Sequence, residues 1–455
     1  MNYDQINSVT VKPLKYCPDL ANSLFSHIEH IAWSMLLRSA SDDHVDSRFD
    51  ILVSKPRVKV TTHGSSSHVI TENDAYDTSE DPFELLNTLQ TQYLPPLECD
   101  LDLPFIGGAL GYFSYDLGRQ IESMPELALN ELATPDMAIG LYDWAVIVDH
   151  KLASACIVGL NVDEHWQWLQ NQQSLSLEKS NFALSSEWQS NMDIQGYKAR
   201  FNAVQNYILE GDCYQINLAQ RFCASYKGSE WQAYQRLEKF NLAPFSAFIR
   251  TDDSTILSVS PERFLQLDKE HIETKPIKGT MPRSTDKSID EVNKKTLQQS
   301  EKDQAENLMI VDLLRNDIGR VAQVGSVHVP SLFEIESFPA VHHLVSTVKA
   351  KLDPAFSATD LLRASFPGGS ITGAPKIRAM EIIEELEPHR RHTYCGSIGY
   401  ISRHGKMDTS ITIRTLIAEK GKLYAWAGGG LVSDSQSDAE YQETLDKLSK
   451  ILPVL

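Results

Sequence analysis

The chain has 455 residues and carries 42 Lys+Arg against 61 Asp+Glu, a formal charge of −19. Near-average hydrophobic (42%) and charged (23%) fractions exclude a disordered or fibrous protein. The acidic balance argues against a nucleic-acid partner, which needs clustered Lys/Arg, and against anionic membranes.

The N-terminal MNYDQINSVTVKPL lacks a basic stretch followed by an apolar one, so no secretion signal is expected. No run approaches the length of a membrane span. Cys17, Cys99, Cys156, Cys213, Cys223 and Cys395 form no C-x-x-C and are too sparse for a disulfide scaffold. Reduced thiols and a cytoplasmic location are expected.

In chain order, residues 50–54 and 144–148 read as buried strands. Gly107, Gly108 and Gly111 suggest a turn or bulge between strands. A polar Gln/Ser/Asn-rich segment at 169–191 reads as a linker between an N-terminal α/β region (1–168) and a second domain (192–455). That domain opens with a helix whose stripe is Tyr197, Phe201, Val204 and Ile208, stopped at Gly211. Short strands follow at 245–249, 255–259 and 264–267, then a helix over 302–315. Another helix starts near Pro375, with Ser370 or Thr372 as candidate caps. Strands at 397–402, 409–415 and 423–427 lead into Gly428-Gly429-Gly430. A last helix carries the stripe Tyr441, Leu445, Leu448 and Leu452. Strands and helices interleave without a strict βαβ period, so the fold class is α+β.

Two acidic pairs stand at i, i+3 on predicted helices, Asp303/Glu306 and Glu440/Glu443. Facing carboxylate pairs suit a hard cation such as Mg²⁺, although a lone E-x-x-E is usually a solvated face. The segment FPGGSITGAPK (366–376) runs into a helix and could offer backbone N–H groups to an anion. It is no Walker A loop. Arg414 could clamp a carboxylate, while Lys447 stands four residues from Glu443, as a surface ion pair would. Lys278, beside Gly279, is a nucleophile candidate only if its surroundings activate it. His343 suits acid–base or hydrogen-bonding work, but taken alone reads as a core histidine. Zinc spacings, a G-x-S-x-G elbow and a glutaminase cysteine elbow are all missing.

Taken together, SVSPERF (258–264), PIKGTMPR (276–283), AENLMIVDLLRNDIGRV (305–321), AVHHLVSTV (340–348), FPGGSITGAPKIRAMEIIEELEP (366–388), YCGSIGY (394–400), TSITIRT (409–415), AGGGLV (427–432) and AEYQETLDKL (439–448) resemble the chorismate-using enzymes. That family includes anthranilate, isochorismate, salicylate and aminodeoxychorismate synthases. AWSMLLRSA, SRFD and GGALGYFSYDLGR extend the likeness into the first half. The resemblance implies two layered β-sheets with outer helices and an active site in the second half. It implies that Glu306 and Glu443, with Asp303 and Glu440 beside them, bind Mg²⁺. Gly279, Ser370, Tyr394, Arg414, Gly428, Gly430 and Lys447 would hold chorismate. Lys278 would attack C2, Glu262 would move protons and His343 would assist. Lys at position 278 matches the P-I-K-G-T of the aminating synthases, where anthranilate synthases carry Ala. Amination at C4 would serve p-aminobenzoate and folate synthesis, with ammonia from a glutamine amidotransferase subunit. Anthranilate synthesis and a catalytically silent chorismate-binding subunit remain the alternatives.

Overall fold

The computed structural model describes residues 9–41, 46–175, 180–337 and 341–455. Residues 176–179 of the expected linker and Ala340 of the AVHHLVSTV motif lie outside them.

The strand Trp144–Asp149 explains the packing scheme. Trp144, Val146 and Val148 enter a cluster with residues of the helices Leu20–Phe25, Val162–Gln173 and Glu230–Asn241. Ala145 and Ile147 enter a different cluster, between two sheets. Both faces of the strand are therefore apolar, and its sequence loses the alternation of a half-solvated strand.

Two antiparallel sheets sandwich that inner cluster, in agreement with the expected α+β architecture of layered sheets and outer helices. One has 13 strands and the other 12. Each draws strands from both ends of the chain. In the larger sheet, Met35–Arg38 pairs with Phe245–Arg250. In the smaller sheet, Gly108–Phe113 pairs with Ser397–Ser402. Residue 168 lies within the helix Val162–Gln173, and the segment after it contributes the short strands Ala183–Leu184 and Gln189–Ser190.

Several local expectations change. Gly108 and Gly111 lie inside the strand Gly108–Phe113 rather than in a turn. Gly111 sits opposite Gly399, and a Cβ there would stand 2.0 Å from the carbonyl oxygen of Ala138. Only glycine permits that approach of two strands. The expected strand at 409–415 is two strands, Lys406–Ile411 and Thr415–Glu419. Arg414 occupies the break at φ +52°. The glycine triplet belongs to the strand Lys422–Leu431.

Helix ends follow their chemistry more closely. Ile194–Glu210 is capped by Asp193 and closed by Gly211 at φ +83°. Lys376–Leu386 starts after Pro375 with no side-chain cap. Ser370 and Thr372 are engaged elsewhere, Thr372 donating to the carbonyl of Gly368 at 3.0 Å. All six cysteines are unpaired. Among the described residues no helix is long and apolar enough to cross a membrane.

Candidate active site

A cavity of about 800 Å³ gathers every residue to which the family resemblance gives a site role. Its floor is the strand Lys422–Leu431 paired with Gln215–Lys227. Gly428 lies opposite Ala219, and Gly430 opposite Asn217. A Cβ on Gly428 would stand 2.6 Å from Asn217 Oδ1. The glycines therefore leave bare backbone where side chains from the facing strand already fill the space.

One wall is the helix Glu301–Gly319, opened by Ser300, whose hydroxyl accepts from the Asp303 N–H. It presents Lys302, Asp303 and Glu306. Another is the helix Ser437–Lys447, which presents Glu440, Glu443 and Lys447. Its buried positions are Glu440 and Thr444, not the expected Tyr441 and Leu445. Ser435 donates to Glu440 Oε1 at 2.6 Å. Both Glu440 and Glu443 lean over Gly429, where a Cβ would meet their carboxyl oxygens at 3.2 and 3.3 Å.

Lysines oppose these carboxylates. Lys447 Nζ stands 2.7 Å from Glu443 and donates to the Gly428 carbonyl at 2.8 Å. Lys278 and Lys302 each stand 3.9 Å from Glu306. Lys447 thus joins a helix to the cavity floor, which a free surface pair would not do. Burial pushes the Glu306 carboxyl above its ordinary range; Lys278 and Lys302 oppose the shift, and Asp303 and Glu440 add to it. Glu440 is raised in the same way, by burial and by Glu443.

The residues fit a divalent cation. Four carboxylates from two helices supply hard oxygen donors, and the like charges keep part of their repulsion despite the lysines. Among the described residues no three acidic, histidine or cysteine side chains are yet drawn into a metal cage.

Lys278 sits on the strand Ile277–Pro282, opposite Leu344. The register then slips, and Thr280 pairs with His343. Gly279 is the extra residue, at φ +72°. Such a bulge re-aims the side chains beside it, and Lys278, Gly279, Thr280 and His343 all line the cavity. Thr280 Oγ1 lies 2.9 Å from His343 Nδ1.

Glu262 follows the strand Thr255–Ser260 and is 8% exposed. Its carbonyl accepts from the Ile411 N–H at 3.0 Å. Ser370 donates to Oε1 at 3.3 Å. Burial pushes the Glu262 carboxyl up to about 7, against the opposing pull of Lys278, Ser370 and Lys447. A carboxyl poised there can both give and take a proton near neutral pH. Burial lowers the Arg414 guanidinium. Tyr394 stacks on Trp426 at 6.2 Å and 9°.

Lys376, which the sequence set at the end of the anion-binding segment, turns away. It pairs with Asp317 at 2.6 Å. Only Ser370 and Ile371 of that segment reach the cavity. Four further polar lining residues were not singled out from the sequence: Asn217, Thr280, Lys302 and Asp446. Thr280 sits in the same short motif as Lys278; nothing in spacing marks Asn217.

A cavity set between two large antiparallel sheets, in which Lys278, Lys302, Arg414 and Lys447 stand among six carboxyl side chains, is the kind of concave polar site in which an enzyme binds a small charged molecule. The sequence matches the chorismate binding enzyme family over residues 36–453, and the chain belongs to that family. A Salmonella typhimurium protein named aminodeoxychorismate synthase component 1 is 55% identical over 447 residues, covering 98% of each chain. The expected likeness to that synthase thus extends over nearly the whole length. An anthranilate synthase component 1 of Lactococcus lactis is 33% identical, covering 92% of this chain and 94% of its own. The crystal structure of anthranilate synthase component I from Streptococcus pneumoniae superposes with a TM-score of 0.77 at 30% identity, covering 90% of this chain and 93% of the other.

Gly279 offers a direct check on the bulge. A Cβ there would lie 2.7 Å from Leu297 and 2.8 Å from the Asp303 carboxyl, at a φ that L residues resist. Gly279→Ala is expected to cost about 1–3 kcal/mol in urea denaturation and to lower turnover by more than the stability loss explains. An unchanged denaturation midpoint would show that the strand tolerates a side chain at that position.

Proposed function

We propose that the protein replaces the 4-hydroxyl of chorismate with an amino group, giving 4-amino-4-deoxychorismate and water. The observation that carries this reading is Lys278, set in the cavity between Glu306 and the buried Glu262. In the adduct-forming step, Lys278 Nζ bonds to C2. The ring double bonds shift, and the C4–O bond breaks. Protonated Glu262 gives its proton to the departing hydroxyl, which leaves as water. Ammonia then bonds to C4, the double bonds return, and the C2–N bond breaks to free Lys278. Glu262 recovers its proton from the incoming nitrogen. His343, held by Thr280, would assist by orienting the reacting groups.

Arg414 and Lys447, with the backbone at Gly279, Gly428 and Gly430, would hold the carboxylates of chorismate, and Ser370 and Tyr394 would bound the ring. Glu306 and Glu443, with Asp303 and Glu440 beside them, would hold Mg²⁺. When bound, the ion supplies charge neutralisation for a substrate carboxylate. Ammonia would come from a separate glutamine amidotransferase subunit, because none of this chain's cysteines sits in a glutaminase elbow. Unpaired cysteines suit a reducing cytoplasm.

The deciding experiment incubates the purified chain with chorismate, Mg²⁺ and ammonium at mildly alkaline pH and resolves products by liquid chromatography and mass spectrometry. Aminodeoxychorismate without pyruvate is expected. Anthranilate with pyruvate would overturn the reading, and chorismate binding without turnover would make this a silent subunit. Lys278→Ala should slow product formation by at least about a hundredfold, near 2.7 kcal/mol of barrier.

Chelation by EDTA should stop turnover, and added Mg²⁺ should restore it. Full activity in EDTA would remove the metal from the proposal.

The Glu262 carboxyl fixes a pH dependence. Its protonated form serves the departing hydroxyl, so adduct formation should decline as pH rises through about 7. Intact-protein mass spectrometry after an acid quench reads this directly. A decline that persists in Glu262→Gln would assign it to another group.

A further inference from the structure

Arg391 is 1% exposed and takes no place among the cavity-lining residues. Its contacts nevertheless converge on them. Nε and Nη2 grip both oxygens of Glu387, at 2.9 and 2.6 Å. Nη1 donates to the Ile371 carbonyl at 2.9 Å. Nη2 also donates to the Asn217 carbonyl at 2.6 Å. The guanidinium carbon lies 4.8 Å from the ring centre of Tyr115 and 5.7 Å from that of Tyr394. Glu387, four residues away, accepts the Ala219 N–H at 2.9 Å.

Three partners of Arg391, namely Ile371, Asn217 and Tyr394, themselves line the cavity. Ile371 follows Ser370, whose hydroxyl bonds Glu262. Asn217 lies opposite Gly430, and Ala219 opposite Gly428, on the cavity floor. Tyr394 itself lines the cavity. A core salt bridge serving stability alone has no need of contacts with three separate cavity-lining residues, Ile371, Asn217 and Tyr394. Burying an ion pair is weak evidence for stability in any case, because desolvation offsets the Coulomb attraction. The planar guanidinium does what an ammonium cannot: it holds two carboxylate oxygens and two carbonyls in fixed directions at once.

We propose that Arg391, locked by Glu387, is a positioning residue for the amination: it sets the Gly369–Ile371 turn so that Ser370 meets Glu262, and it fixes Asn217 and Tyr394 around the substrate. The inference rests on the functional reading above for its effect on turnover, but not for its effect on Glu262. Ser370 donates to the Glu262 carboxylate and so favours its charged form; loosening the turn should raise the pH at which that carboxyl ionises. Lys278 and Lys447 face Glu262 as well and stay in place.

The test follows the Glu262 carboxyl by infrared difference spectroscopy, taking the protonated C=O band that Glu262→Gln removes. In Arg391→Lys the band should titrate at a pH higher by about half a unit than in the parent. Ser370→Ala should shift it in the same direction, and Ser370→Ala/Arg391→Lys should go no further than Ser370→Ala alone. With chorismate and ammonia, kcat of Arg391→Lys should fall by about tenfold or more, as displaced catalytic groups cost rate steeply. A merely structural arginine would lower the melting temperature and leave the band's titration where it was, which would overturn the proposal. Shifts that add in the double variant would overturn it too. If Arg391→Lys does not fold, Glu387→Gln, which keeps an acceptor for the Ala219 N–H, carries the same two readouts. A parent protein without turnover would refute the functional reading alone, because the infrared titration needs no substrate.

Discussion

The cavity depends on a stretch of bare backbone. Gly428, Gly429 and Gly430 run opposite Ala219, Leu218 and Asn217 toward one edge of a 13-stranded sheet. A Cβ at Gly428 would press on the Leu218 carbonyl and Asn217, while at Gly429 and Gly430 it would displace the side-chain ends of Glu440, Glu443 and Gln215. The facing strand and the last helix thus meet over glycine. Their approach brings two acidic side chains and Lys447 to the same spot, and Lys447 fastens the helix by bonding the Gly428 carbonyl. The carboxylates belong to the helix, but the sheet's register decides where they stand in the cavity.

Charge follows from that geometry. Bringing Asp303, Glu306, Glu440 and Glu443 into one half-buried cavity costs desolvation and mutual repulsion. Lys278, Lys302 and Lys447 relieve part of it, yet Glu306 and Glu440 keep a raised affinity for protons. The same electrostatics make Lys278 more than one lysine among many. It faces a carboxylate at 3.9 Å and shares the cavity with Glu262, which burial has brought near neutrality. Lys278, Lys302, Lys447 and Arg414 gather in this cavity, so a formal charge of −19 for the whole chain does not by itself exclude an anionic substrate.

Much of the fold was legible because local chemistry and packing agreed. The helix Ile194–Glu210 shows its stripe and its glycine stop, and Trp144–Asp149 shows the unbroken apolar run of a strand covered on both faces. Glycines misled where they served close strand approach: Gly108 and Gly111 look like a turn and are a strand. Ser370 and Thr372 look like caps, but Ser370 is claimed by the distant Glu262 and Thr372 by the carbonyl of Gly368 in its own turn. Arg414 was expected in a strand and sits at a left-handed break between two. The site residues were gathered by motif resemblance, since spacing along the chain says nothing of which strands meet. Asn217 and Arg391 stayed hidden for the same reason. Their importance lies in partners 174 residues apart along the chain.

Lys278 shows how a single local irregularity connects these levels. On a regular strand, the residues after it would keep their pairing with the strand that carries His343. The extra residue at Gly279 breaks that pairing, so that Lys278 stands opposite Leu344 and Thr280 opposite His343. The side chains on either side of the bulge then face one cavity, the ammonium toward Glu306 and the hydroxyl toward the imidazole. Leu297 of the helix Lys287–Gln298 and Asp303 of the acidic helix pack where a side chain at 279 would project, and together with φ +72° they favour the glycine. Lysine, histidine and acidic helix thereby meet around one backbone feature, the bulge at Gly279.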